Sequence, residues 1–312
     1  VSVGICIADP AANPKPEDML KDAEIALAGA KRLGGNRIEV FRPSMRAQRS
    51  DRLSLEADLR RALERNEMTI SFMPVVRLDD RTIAGFEMVL RWNHPRLGRL
   101  SLSDFLTVAE ESGLILDLGL FMMERTAREL AAWQSVLDVD PPIFATVPVV
   151  SSHLLRHDLL ADVKGVLTRS GVSRGSLKLE ISEKLLLDNP EHSAQMLARL
   201  RELGAGLVLD EFGMGYSSFA YLQRFPFDTI KVDRSFVHPN ASGVRPPMLR
   251  SIVHMAHDLG LEIIAEGAES ESDVIELSQF GCQYAQGHVF GQSMSALDAR
   301  KLMGVTSDVA AA

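Results

Sequence analysis

Four carboxylates and one lysine each lie in or at the end of a short apolar run. They are Glu87 in TIAGFEMVLRW, Glu180 in SLKLEIS, Asp210 in GLVLDEF, Glu266 in EIIAEG and Lys231 in TIKVD. An acid at the end of a buried strand is costly unless a metal, a lysine or a phosphate ligand answers its charge. Acids converging from several strands are what a pair of hard divalent cations requires. Asp210 is followed at once by Glu211, and the pair opens a glycine-rich stretch, DEFGMGYSSF. Any one of these acids reads equally well as a solvated strand end; the whole set does not.

The elements that must position these groups follow a repeating beat of short apolar run and helical stretch. The strand candidates are MTISFMPVV, TIAGFEMVLRW, PIFATVPVV, SLKLEIS, GLVLDEF, TIKVD, EIIAEG and the segment around AQGHVF. Helical stretches such as SLSDFLTVAEESG, LGLFMMERTARELAAWQSV, NPEHSAQMLARLREL and MLRSIVHMAHDLG fall between them. This order predicts an α/β fold, a (β/α)8 TIM-like barrel, whose C-terminal strand ends would face one shared pocket. Ahead of it, residues 1–42 read as a small α+β segment: a strand, VSVGICIA, a helix ended by Gly34 and Gly35, and a closing strand, NRIEVF. That is too little to bury a core alone. Residues 43–54 are expected to link it to a barrel over 55–307, with DRLSLEADLRRALERNE forming an amphipathic helix at the junction.

With 46% apolar and 24% charged residues, the 312-residue chain is expected to have an ordinary soluble core. Its net charge of -8 gives no support to a DNA- or RNA-binding face, although a small phosphodiester needs only a few local cations. No apolar run has membrane-spanning length, and no signal peptide is visible. Cys6 and Cys282 match no zinc spacing and read as reduced core residues, which points to a cytoplasmic setting. The chain opens on a strand-like segment without a start methionine, so it is read as a fragment of a longer protein. The eight histidines show no ligand spacing, and Ser217-Ser218 resemble no nucleophile elbow.

At the chemistry-bearing positions the chain resembles the EAL-domain family, the cyclic di-GMP phosphodiesterases and their non-catalytic relatives. Six motifs carry the resemblance in order: EMVLRW at Glu87–Trp92, EISE at Glu180–Glu183, DEFGMGYSS at Asp210–Ser218, Lys231-Val232-Asp233, EGAE at Glu266–Glu269, and Gln286-Gly287. The head, through NRIEVF, resembles the last part of a GGDEF domain, with Glu24, Ala28 and Gly35 departing from that pattern and Lys31 keeping it. The piece that carries the cyclase signature is not in the chain, so no cyclase activity is expected of it.

The resemblance implies hydrolysis of cyclic di-GMP to a linear dinucleotide, with two Mg²⁺ or Mn²⁺ ions holding a water. It places Glu87, Glu180, Asp210 and Glu211 as metal ligands. Lys231 would steady the water, Glu266 would support the metal shell, and Glu183 would tie down the Asp210–Glu211 loop. Arg91 would contact a phosphate, and Gln286 and Asp233 would line the nucleotide site. It further implies upstream GGDEF or sensor domains and a homodimer paired beside the glycine-rich loop.

Several positions depart from the family pattern. Its ligand asparagine falls on Pro148, which has no side-chain oxygen. The second aspartate of the loop is Glu211, its threonine is Met214, and a ligand-side glutamine is Met73. These changes gather on one pocket. The sequence therefore supports a degenerate EAL domain that binds cyclic di-GMP or partners with weak or no hydrolysis, with Mg²⁺ or Mn²⁺ bound if it is active and no ion required otherwise. The alternatives are an active metal-dependent phosphodiesterase and a protein-interaction module that binds no nucleotide.

Overall fold

Gly4 marks where a helix rests directly on the first strand. In the computed structural model, β1 (Val3–Ile5) and β2 (Ile38–Val40) pair in parallel, Gly4 opposite Glu39. Parallel neighbours need a crossover, and α1 (Pro16–Arg32) provides it. A Cβ on Gly4 would run into the backbone of Ala23 and Leu27, so only glycine lets α1 approach this closely. The small residues Ala26 and Ala30 are buried on α1. α2 (Pro43–Ala62) is one continuous helix and takes in the stretch read above as a linker.

The structure describes residues 1–7, 15–32, 35–150, 154, 158–187, 189–212, 224–237 and 248–304. The chain divides into two compact units. One is Val1–Arg65 with Ser103–Ser112; the other is Asn66–Leu102 with Gly113–Ala312. α3 (Leu102–Glu111) therefore groups mostly with the first unit.

The second unit is the barrel. Its strands are β3 (Met68–Arg77), β4 (Ile83–His94), β6 (Phe144–Pro148), β7 (Leu177–Ser182), β8 (Gly206–Phe212), β9 (Thr229–Val232), β10 (Glu262–Glu266) and β11 (Tyr284–Gln286). A further strand, β5 (Gly98–Ser101), pairs only with β4 as a hairpin outside the ring; it was not foreseen from the sequence. The order β3-β11-β10-β9-β8-β7-β6-β4 closes through a β3–β4 pairing, which gives the expected closed α/β barrel.

One strand is reversed. β3 is antiparallel to both β4 and β11, while the other neighbours in the ring are parallel. The cause is local: β3 and β4 are joined by a tight turn, which can only make a hairpin. Arg81 takes a left-handed φ of 59° there, and Asp80 accepts from the amide and hydroxyl of Thr82 at 3.0 and 2.7 Å.

Helices pack around the ring: α4 (Ile115–Gln134), α5 (Asp158–Ser170), α6 (Glu183–Leu187), α7 (Pro190–Leu203), α8 (Arg234–Val237), α9 (Met248–Asp258), α10 (Glu271–Phe280) and α11 (Ala296–Leu302). Strand alternation sorts the two faces of β4. Phe86 turns outward and joins Phe72 and the α4 residue Trp133, with centroids 4.9 Å from Phe86 to Trp133 and 4.8 Å from Phe72 to Trp133. Glu87 turns inward.

Candidate functional site

Each acid reaches the barrel interior because its strand is apolar on both sides of it, as expected for parallel strands covered on both faces. The centre of the site is Lys231 on β9. Its ammonium lies 2.8 Å from Glu266 Oε1, 3.1 Å from Glu87 Oε1 and 3.2 Å from Glu180 Oε1. The Lys231 and Glu180 side chains are each only 3% exposed. Gln286 on β11 donates its Nε2 to Glu87 Oε2. Four strands, β4, β7, β9 and β10, thus bring three acids onto one cation, and β11 braces one of them.

Charge sets the proton balance. Burial pushes the Glu180 carboxyl up to about 8; Lys231 pulls it down, and Glu87 and Asp210 push it further up. Burial likewise raises Glu266, opposed by Lys231. Burial works against the Lys231 ammonium, but Glu180, Glu87, Glu266 and Asp210 outweigh it and hold its pKa well above the usual value. Lys231 is therefore a fixed positive charge.

The remaining expected residues are placed as follows. Asp210 is half-buried at the end of β8, near enough to act on Glu180, Lys231 and Glu266, and its Oδ1 accepts from the amide of Glu211 at 2.8 Å. Glu211 is exposed, with a left-handed φ of 56°, and is not part of the cluster. Arg91 lies on the Glu87 face of β4, two positions along each time, and donates to the Leu90 carbonyl at 3.2 Å. Asp233 Oδ1 accepts from the amide of Ser235 at 2.8 Å and so shapes the start of α8. Glu183 is buried at the first position of α6, directly after β7. Gly213, Met214, Gly215, Tyr216 and Ser217-Ser218 lie outside the described residues.

A cavity of about 220 Å³ opens over the cluster, lined by Met73, Glu87, Glu266 and Gln286 together with Arg234 and His288. Arg234 and His288 were not expected. Each stands directly beside a recognised motif, Arg234 after Asp233 and His288 after Gln286-Gly287, and that adjacency was the available signal. Thr146 was also missed; it is opposite Glu87 in the β4–β6 register.

The donor set can be tested against a divalent ion. Gln286 Oε1 is buried without a hydrogen-bond partner, while Glu180 is answered by Lys231 and Thr146. An orphaned acceptor on a residue that lines a cavity is unusual. Carboxylate, amide and hydroxyl oxygens are the hard donors that Mg²⁺ and Mn²⁺ take, so these residues fit such an ion in kind. Among the described residues, however, no group of three or more His, Cys, Asp or Glu side chains stands in an arrangement that could hold one. The Lys231 ammonium is at the centre, and Pro148, opposite Glu180 in the β6–β7 register, brings no side-chain oxygen.

A closed α/β barrel with one reversed strand, and with strand-borne acids gathered on a lysine at its mouth, defines a TIM-like barrel with a charged site at its mouth. Residues 56–293 match the EAL domain, and the chain belongs to that family. Among its relatives, the uncharacterized protein y4lL of Sinorhizobium fredii is 34% identical over 95% of the chain and 35% of that protein. Cyclic di-GMP phosphodiesterase NbdA of Pseudomonas aeruginosa is 33% identical over 89% of the chain and 35% of that protein. The chain thus spans about a third of the length of these relatives. A solved structure described as the PaMucR phosphodiesterase in complex with c-di-GMP is 30% identical, with a TM-score of 0.73, covering 79% of this chain and 99% of that one. The chain is therefore an EAL domain with cyclic di-GMP phosphodiesterase relatives. Among the described residues, no helix is long and apolar enough to cross a membrane.

Proposed function

We propose that this domain binds cyclic di-GMP at the barrel mouth and serves as a regulatory module with weak or no hydrolysis. The observation that carries the reading is the pairing of Pro148 with Glu180. The strand position beside the most buried acid lacks the oxygen that the family places there. Mg²⁺ tolerates irregular coordination poorly, so losing one ligand weakens the ion more than it weakens the nucleotide.

The nucleotide side of the site is better kept. Arg91, on the same face of β4 as Glu87, would meet a phosphate, and Arg234 on the cavity wall would add a cation. Gln286 has an unused amide oxygen that can accept from a guanine. Lys231, held as a cation by its three acids, would offset phosphoryl charge whether or not an ion is bound. A divalent ion on Glu87, Glu180 and Asp210 would require these side chains to regroup around it in place of the Lys231 ammonium, and it would lower the pKa of a bound water and offset developing charge. Glu211, exposed and in a left-handed conformation, is poorly set to hold a second one.

A second reading, an active metal-dependent phosphodiesterase, is favoured by the acids that persist around Lys231. Calorimetric titration with cyclic di-GMP, with and without Mn²⁺, followed by chromatography for the linear dinucleotide, separates the two. Binding without metal and without product is the expected result. Metal-dependent turnover at rates ordinary for such enzymes would replace the first reading with the second, and no binding at all would overturn both.

A further inference from the structure

The opposite end of the barrel from the acid cluster carries a second layer of inward polar residues. Lys178 precedes Glu180 by two positions, Thr229 precedes Lys231, and Tyr284 precedes Gln286, so each pair shares a strand face. Lys178 Nζ donates to Thr229 Oγ1 at 2.8 Å, pairs with Glu262 Oε2 at 3.1 Å, and lies 4.6 Å from the centroid of the Phe144 ring. The Tyr284 hydroxyl donates to Glu262 Oε1 at 2.9 Å. Both oxygens of Glu262 are therefore engaged within the layer.

A cavity of about 190 Å³ opens beside this group. Its lining includes Arg77, Arg174 and Lys178, and Glu262 is its only carboxylate among the described residues. Arg174 donates to the carbonyls of Arg201 and Glu202 at 2.9 and 3.1 Å, and no carboxylate among the described residues pairs with it. Arg77 reaches the exposed Asp80 at 3.5 Å and also bonds the Tyr284 hydroxyl. The lining of this cavity thus sets three cations against one carboxylate, beside the aromatic rings of Phe144 and Tyr284. A larger cavity of about 550 Å³ shares Arg77 and Pro141 with the first and is walled by Ile83, Leu137, Val139 and Leu302. It is also lined by Asp80, Asp140 and Arg81, the last paired with Glu271 at 2.6 Å. The two cavities together offer a cationic head position and an apolar trough leading away from it.

We infer that the N-terminal end of the barrel is a binding site for a carboxylate with an apolar tail, its head on Arg174 and Arg77 and its tail along Ile83, Leu137 and Leu302. Charge-assisted bonds from guanidinium groups fix the head, and removal of apolar area from water holds the tail. Neither contribution suffices alone. The site shares strands with the acid cluster and none of its side chains, so it stands apart from the reading of the barrel mouth.

Calorimetric titration of the whole chain with sodium octanoate, against acetate and inorganic phosphate, tests this. Octanoate should bind saturably at one site, with acetate and phosphate about tenfold weaker or more. Arg77→Gln and Arg174→Gln should each weaken octanoate roughly tenfold, and Arg250→Gln, on the exposed face of α9, should not. Arg174 also holds the last carbonyls of α7; if its variant fails to fold, Arg77→Gln alone gives the same test. Absence of saturable octanoate binding, phosphate binding as tight as octanoate, or octanoate affinity unmoved by the arginine changes would each overturn the assignment.

Discussion

Pro148 sits in register beside Glu180 on the neighbouring strand, and the next amide, that of Val149, donates to the Glu180 carbonyl at 2.8 Å. The backbone of the two strands is thus firmly joined where the side-chain oxygen is missing. Pro148→Asn should therefore supply a ligand oxygen without moving the strand. Mn²⁺ affinity, read by calorimetry, should rise about tenfold or more, while Pro148→Ala should leave it unchanged. Equal affinities for the Asn and Ala variants would show that this position does not face the ion.

Glu211 follows with a backbone prediction. Its φ of 56° is a region that costs a side chain with Cβ about 1–2 kcal/mol and costs glycine little. The side chain is exposed, so little packing is lost on removing it. Glu211→Gly should raise stability by about 1 kcal/mol in urea titration, offset in part by the greater freedom glycine gives the unfolded chain. A less stable Gly variant would mean that the carboxylate contributes contacts worth more than the strain.

The barrel was legible because its strands are buried on both faces and read as unbroken apolar runs; the bounds of β8, Gly206–Phe212, coincide with GLVLDEF. The reversal of β3 was not read as such. Its signal was the lack of a helical stretch between MTISFMPVV and TIAGFEMVLRW, which only a hairpin satisfies. β5 was missed because GRLS is short and only half-buried, so no periodicity marks it. At the site, convergence of acids from separate strands followed from the barrel itself. That Lys231 would bond three of them at once did not, because strand position fixes a side chain's face and not its partner. Arg234 and His288 escaped notice because an isolated Arg or His beside a motif is most often a surface residue.

Gly206 gives a packing test at the floor of the barrel. A Cβ there would lie 2.6 Å from the Gly175 carbonyl oxygen and 2.7 Å from Lys178 Cγ. The first contact is backbone and cannot step aside, and the second belongs to a lysine fixed by Thr229 and Glu262. Gly206→Ala should cost about 1–3 kcal/mol by urea denaturation. A neutral result would mean that the β7–β8 spacing yields more readily than the register implies.

Lys231 carries the last prediction, which concerns pH. Folding raises Glu180 from 4.5 to about 8, chiefly by burial, and raises Glu266 as well. Between those values the folded chain holds more protons than the unfolded one, so these acids make stability fall as pH rises through that window. The ammonium of Lys231 limits the effect by pulling both carboxyls down. Lys231→Met removes it and leaves Glu87, Glu180 and Glu266 facing one another. The variant should lose about 3–5 kcal/mol near pH 8, where the acids must ionise without a counter-charge. Near pH 5 Glu180 and Glu266 can take up protons, and the loss should be clearly smaller. Urea midpoints of both proteins at the two pH values measure this. A penalty as large at pH 5 as at pH 8 would show that Lys231 acts there by packing its chain and not by its charge.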